Sequence, residues 1–363
     1  MKQLDFEALK HSPSFKPLTV LNEQGDVVNE DMMPDLSDEQ LTELYKQMLW
    51  SRIINDRATK LNRQGRLGFF APTAGEEASQ MGSNFAMDKE DFLLGGYRDV
   101  PQLVKHGLPL AKAFMWSKGM VNGNKYPANL AAVPPQIIIG AQYVQTAGVA
   151  LGLKKKGAKQ LAYTYTGDGG TSQGDFYEGM NFAGSFKAPA LFFVQDNLYA
   201  ISVPAKVQTA AHDFADKAVA VGIPSIIVDG MDALAVYEAS SQAREYIVAG
   251  NGPVMIETLT YRYGPHTLSG DDPKRYRTKE EEDAWHQKDP VVRMKNFLTK
   301  KGLWSEDKDK AYTEEVDKEI DDAMKEVESQ PAESVAEYLK DEYEVTPPAI
   351  QHELDRLNSK EGK

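Results

Sequence analysis

A chain of 363 residues with 41% apolar side chains is long enough for one large α/β domain with extensions, or for two ordinary domains, and can bury a proper core. It has no cysteine, which excludes disulfides, thiolate–zinc sites and cysteine nucleophiles, so any metal must sit on oxygen or histidine. A net charge of −13 lacks the excess of Lys and Arg that phosphate neutralisation needs, so nucleic-acid binding is not expected. No apolar run is long enough for a membrane span, and Met1-Lys2-Gln3-Leu4-Asp5-Phe6-Glu7 has neither the apolar core of a secretory signal nor the acid-poor character of a transit peptide. The expected location is cytoplasmic, away from membranes.

Residues 1–36 are polar and mixed, with Pro13, Pro17 and Pro34, and read as an extended N-terminal arm lying on a larger body or a neighbouring subunit. Ser37-Asp38-Glu39-Gln40 has the form of a capping box, and Leu41, Leu44, Tyr45 and Met48 follow at helical spacing, so a helix is expected to run past Ile54. From about residue 90 to 260, short apolar runs alternate with helix-like stretches, the pattern of parallel strands joined by crossover helices. The candidate strands are Phe92–Leu94, Ile137–Ile139, Leu161–Tyr165, Ala190–Val194, Ile226–Val228 and Val254–Leu259, with Ile137–Ile139 also read as core. Ala141–Lys155 and Asp232–Ala249 are the clearest crossover helices. The predicted fold class is therefore α/β, a doubly wound, mostly parallel sheet, within a domain spanning 37–300. Residues 262–277, rich in Gly, Pro and Asp, read as a long surface loop. The charged tail 301–363 is expected to be helical, with Tyr312, Val316, Ile320, Ala323 and Val327 forming one stripe that ends at Pro331.

Gly167-Asp168-Gly169-Gly170 follows directly on the strand Leu161–Tyr165, and Thr171-Ser172-Gln173-Gly174-Asp175 is expected to open a helix, with Ser172 and Asp175 spaced as a cap and its return partner. This puts a carboxylate at a strand's carboxyl end, where open α/β sheets bind ligands, between glycines that let backbone amides approach a phosphate. The next strand runs into Gln195-Asp196-Asn197-Leu198-Tyr199, so Asn197 brings a second oxygen ligand about one strand-helix-strand unit further on. Oxygen ligands suit magnesium, which phosphates and water usually complete. A lone Gly-Asp-Gly is ordinary turn chemistry. The nearest competitor, a dinucleotide site, is disfavoured because Gly167, Gly169 and Gly174 do not give G-x-G-x-x-G and no acidic residue ends the next strand in the right place.

The run from Gly167-Asp168-Gly169 through Asn181 to Asp196-Asn197 resembles the thiamine-diphosphate motif, a GDG triplet before a paired NN, with Asp196 in place of the first asparagine. Over residues 40 to 345 the sequence is similar to alpha subunits of the decarboxylating component of 2-oxoacid dehydrogenases, nearest the bacterial pyruvate dehydrogenases. The resemblance implies the thiamine-diphosphate-binding fold, with magnesium held by Asp168, Asn197 and the Tyr199 carbonyl beside Gly169 and Gly170. It also implies that Tyr97 and Arg98 hold the diphosphate. Ile137 (carbonyl) and Ile139 (amide and bulk) match the segment against which the cofactor bends. Tyr261-Arg262-Tyr263-Gly264-Pro265-His266-Thr267 matches the active-site loop, whose catalytic groups are Arg262 and His266. Gly264 and Thr267 stand where mammalian relatives carry a second histidine and a regulatory serine, so phosphorylation control is not expected. Glu178 and Asn181 read as packing and interface residues, and Phe70 as a determinant of substrate size.

The activity so implied is oxidative decarboxylation of pyruvate, with transfer of the acetyl group to the lipoyl group of the dihydrolipoyl acyltransferase component. The alternatives are the branched-chain 2-oxoacid and acetoin dehydrogenase alpha subunits. One strand-helix series serves the diphosphate side of the cleft, and nothing after residue 260 looks like a second. The resemblance accordingly implies a beta subunit supplying the other half, in an assembly of two alpha and two beta chains, with loop 262–277 at the entrance used by the lipoyl arm. A non-catalytic scaffold and a nicotinamide oxidoreductase are the readings from other classes.

Overall fold

Five apolar runs become one parallel sheet in the computed structural model, which describes residues 2–10, 16–332, 334–340 and 342–361. Pro13 of the predicted arm, and residues 333, 341, 362 and 363 of the predicted tail, lie outside the described residues. The strands are β1 (Phe92–Leu94), β2 (Ala162–Gly167), β3 (Ala190–Asp196), β4 (Ser225–Asp229) and β5 (Val254–Leu259), in spatial order β1-β2-β3-β5-β4. The register sets Thr166 beside Val194 and Gly167 beside Gln195, so β2 and β3 end side by side.

Parallel strands are covered on both faces, yet the period-two rule still sorts their side chains. Leu93, Tyr163, Tyr165, Leu191, Phe193 and Ile256 enter one core with α1 (Asp38–Arg63), α2 (Glu77–Phe85) and α5 (Ala233–Tyr246). Leu94, Ala162, Phe192, Val194 and Met255 enter the other with α3 (Ala141–Lys155) and α4 (Gly174–Phe186). Close approach on that side depends on Gly179 of α4, where a Cβ would stand 2.5 Å from the Tyr143 backbone. Phe193, fully buried and stacked on Tyr165 at 4.7 Å between centroids, illustrates the energetics: truncation to Ala would cost about 3–5 kcal/mol.

Helix α1 begins with the expected capping box, Ser37 and Gln40 bonding each other's backbone amides, and buries Leu41, Leu44, Tyr45 and Met48. The predicted stripe of the tail becomes the buried face of α6 (Glu306–Glu328), where Val316, Ile320, Ala323 and Val327 pack against Trp50, Ile54 and Ala58 of α1. Near the amino terminus, Leu18 exchanges hydrogen bonds with the edge strand β4, and the amides of Val20 and Leu21 donate to Asp232 Oδ2 at 2.7 and 2.6 Å. After Leu259 no further strand forms among the described residues.

Two local expectations are corrected. Ile137–Ile139 is neither strand nor core: Ile137 and Ile138 are 56% and 68% exposed, and only Gln136 makes a bridge, to Gly96. Pro134 and Pro135, which lack N–H donors, precede the run and it follows an irregular path along the sheet edge. Nor does Ser172 cap α4: the chain first makes a 3-10 turn over Asp168–Ser172, so α4 starts at Gly174 without a side-chain cap.

Candidate active site

The carboxyl ends of β1, β2 and β3 open into a cleft of about 480 Å³. Its floor is the Asp168–Ser172 turn. Gly170 must be glycine there, since a Cβ would fall 1.9 Å from Thr166 Oγ1 and 2.6 Å from Ile139 Cγ2. The Ile137–Ile139 segment forms one wall, fastened by Gln142, whose amide donates to Tyr165 O at 2.7 Å and whose oxygen accepts from Gly140 N at 2.9 Å.

Oxygen ligands line one end. Asp168 is 1% exposed, and burial pushes its carboxyl up to about 6, opposed mainly by the amide of Gln208, which donates to Oδ2. Asn197 at the end of β3 is pinned through Nδ2 to Glu76 Oε1 at 2.9 Å, which leaves its buried Oδ1 without a partner. An orphaned buried oxygen beside a carboxylate fits a hard cation. Tyr199 lines the same end, its hydroxyl tied to Glu281. Burial also raises Glu76 to about 7 and, with Asp168 adding repulsion, Asp196 to about 7. Among the described residues no three His, Asp or Glu side chains form a ready metal cluster, so a cation here would need amide and carbonyl oxygens or an anionic ligand.

The opposite end is basic. Arg98 and Arg262 are 8% and 0% exposed, and neither has a carboxylate partner among the described residues. Arg98 donates to Pro72 O and, at 3.2 and 3.1 Å, to His266 Nδ1 and O; Arg262 donates to His266 Nδ1 at 3.2 Å and to Ile201 O at 3.0 Å. Burial, then repulsion from Arg98 and Arg277, lowers Arg262 to about 10. Burial and the two guanidiniums lower His266 to about 4. Because both guanidiniums can only donate, Nδ1 must accept, and the imidazole proton sits on Nε2, 3.4 Å from the Tyr97 hydroxyl. Two buried guanidiniums with no ion-pair partner among the described residues, and Glu76 as a shared carboxyl at longer range, fit an anion.

Comparison with known proteins then gives the lineage. Residues 45–336 match the dehydrogenase E1 component family. The chain belongs to that family. It is 55% identical to the pyruvate dehydrogenase E1 component subunit alpha of Staphylococcus epidermidis and 54% identical to that of Staphylococcus aureus, with 99% of each chain covered in both cases.

In this dehydrogenase E1 component chain, the acidic end, the isoleucine wall and the basic end named from the sequence all line the one cleft. Phe70 does not; it lines a small apolar void behind Tyr97 and Arg98. Glu178 and Asn181 are exposed on α4, so they are not packing residues within the chain. Loop 262–277 is exposed in its middle, but its ends are buried: Arg277 donates to Arg262 O at 2.6 Å and lies over the rings of Tyr199 and Tyr261. The sequence reading missed Glu76, Asp99 and Gln208. Glu76-Glu77 did carry a signal, two acids inside an otherwise small and apolar stretch, Ala71 to Ala78.

Proposed function

We propose that this chain is the alpha subunit of a pyruvate dehydrogenase, binding thiamine diphosphate through magnesium and decarboxylating pyruvate together with a beta subunit. The observation that carries the reading is one cleft with an orphaned Asn197 oxygen and the Asp168 carboxylate at one end and two unpaired buried guanidiniums at the other. Family membership and the names of the relatives support the same activity. Asp168, Asn197 and the Tyr199 carbonyl are the proposed magnesium ligands, and Gly169, Gly170, Tyr97 and Arg98 the proposed diphosphate contacts.

When bound, thiamine diphosphate supplies a carbon nucleophile and a sink for the electrons left as carbon dioxide departs. This chain's residues bind and orient. Ile137 and Ile139 give the cofactor a surface to lie on, Arg98 pairs with anionic oxygens, and Arg262 holds His266. His266, neutral with its proton on Nε2, donates a hydrogen bond to a carboxylate or carbonyl oxygen. The rim of exposed Ile137 and Ile138, and the exposed Tyr177, Phe182 and Phe186 of α4, offer apolar surface for a beta subunit to cover. We place residues 37–300 as the cofactor-binding domain, with 1–36 and 301–363 as attachments, a lipoyl-bearing acyltransferase as acetyl acceptor and the cytoplasm as location. No helix among the described residues is long and apolar enough to cross a membrane.

The test is carbon dioxide release by the co-expressed alpha and beta chains, from pyruvate and from 2-oxoisovalerate, with an artificial electron acceptor and with or without thiamine diphosphate and magnesium. Cofactor-dependent turnover favouring pyruvate is expected. Preference for the branched acid would change the substrate, and absence of cofactor binding would overturn the roles given to Asp168 and Asn197.

A further inference from the structure

Behind the Asp168 turn, on the side away from the cleft, lies a buried ammonium. Lys217 is 7% exposed, in a helical turn (Asp216–Val219) packed against α4, and the rings of Phe214, Tyr177 and Phe176 stand 5.1, 5.8 and 6.0 Å from its nitrogen. It has no carboxylate partner within ion-pair distance among the described residues. Its hydrogen bonds go to a single residue: Nζ donates to Thr171 O at 3.1 Å and to Thr171 Oγ1 at 2.8 Å. Burying an ammonium this way is costly, and a Met of similar length would fill the aromatic cage without that cost. Glu257 and Asp168 attract the ammonium at longer range, and its only direct polar contacts among the described residues are with Thr171.

A lysine can only donate, so the Thr171 hydroxyl must accept from it and turn its own proton elsewhere. That proton goes to Asp168 O, at 2.7 Å, closing the turn that carries Asp168, Gly169 and Gly170. We infer that Lys217 is a positioning residue, bracing the cofactor-binding turn from behind through Thr171 so that Asp168 and its glycines keep one orientation toward the cleft. The inference rests on the reading of the cleft as a thiamine-diphosphate site. Bracing groups behind metal ligands commonly matter by about 10- to 100-fold in affinity.

The experiment uses the assembled alpha–beta complex carrying Lys217→Met, Thr171→Val or both. Two readouts are taken: amide hydrogen exchange across 168–172 without cofactor, and affinity for thiamine diphosphate at fixed magnesium, set against turnover at saturating cofactor. Lys217→Met is expected to speed exchange in the turn and to weaken cofactor binding, each by about tenfold, with a smaller fall in turnover. Thr171→Val should reproduce both effects, and the double variant should be no worse than Lys217→Met, because the two act in series. Exchange and affinity within twofold of the parent in both single variants, or additive effects, would overturn the inference. Should Lys217→Met fail to assemble, Thr171→Val leaves the cage intact and is judged by the same thresholds. A parent complex that binds no thiamine diphosphate, yet whose turn exchange still depends on Lys217, would sink the cofactor reading while sustaining the brace.

Discussion

Replacing Glu76 should cripple the proposed metal site without touching a ligand. Glu76 is fully buried at the start of α2, and its Oε1 accepts from Asn197 Nδ2 at 2.9 Å. That bond is what aims the other amide atom, Oδ1, into the cleft. Above the value of about 7 to which burial raises Glu76 this is a hydrogen bond to a charged group, which contributes about 1.5–3 kcal/mol. Without it, Asn197 must be reordered each time a cation binds, so Glu76→Ala is expected to weaken magnesium roughly 10- to 150-fold, at 1.4 kcal/mol per decade. Glu76→Gln keeps an acceptor but not its charge, and should lose less, about fivefold. The assay is a magnesium titration at saturating thiamine diphosphate, followed by calorimetry or by turnover, with a thermal melt to establish that each variant is folded. A folded Glu76→Ala complex with magnesium affinity within twofold of the parent would refute the reasoning, because Asn197 would then be held by something other than this carboxylate.

Other expectations follow from buried charges elsewhere. Asp232→Ala orphans the amides of Val20 and Leu21, at about 1–3 kcal/mol each, and removes the cap of α5, so the segment should become an early chymotryptic site, cut after Leu18 or Leu21; unchanged proteolysis would count against the anchor. His266 has its folded pKa depressed to about 4 from 6.5, so its contribution to stability is complete above 6.5 and lost as pH falls through 4. Nitrogen-detected NMR should accordingly show no His266 titration between pH 5 and 8, and a midpoint above 6 would contradict the two-guanidinium environment. Glu257 runs the other way: burial, then Asp196, raises it to about 8 from 4.5, so its favourable contribution is whole below 4.5 and disappears as pH rises through 8. Glu257→Gln should gain melting temperature over the parent progressively between those values; a gap that ignores pH would reject it.

The fold was legible where residues obey one period. The runs at 162–167, 190–196 and 254–259 are buried on both faces, and an apolar run between helices has few other places to go. Ile137–Ile139 is as apolar and misled for that reason: it borders the open cleft, and the cofactor and beta subunit proposed to cover it are not encoded in local pattern. Gly-Asp-Gly alone is ordinary turn chemistry, and Asp168 with its glycines was legible as lining the cleft because it follows directly on a strand whose carboxyl end opens there. Asp99 was not. Its Oδ2 accepts from Gly96 N at 2.7 Å and its Oδ1 from Gln195 at 2.8 Å, joining segments a hundred residues apart through polar groups that have no periodicity. Lys217 is similar, a charge in an unremarkable short turn whose partner is set only by tertiary packing.

The pairing of Leu18 with β4 and of Leu21 with Asp232 bears on synthesis. Leu18 and Leu21 leave the ribosome well ahead of their partners and find them only after more than two hundred further residues have been made. β1 likewise waits for β2, and β3 for β5, because these neighbours in the parallel sheet are separated by long stretches of chain. Through most of translation, α1 and its row of leucines therefore have no sheet to cover. The nascent chain is expected to need shelter from a chaperone, and its amino-terminal segment to be among the last parts to settle.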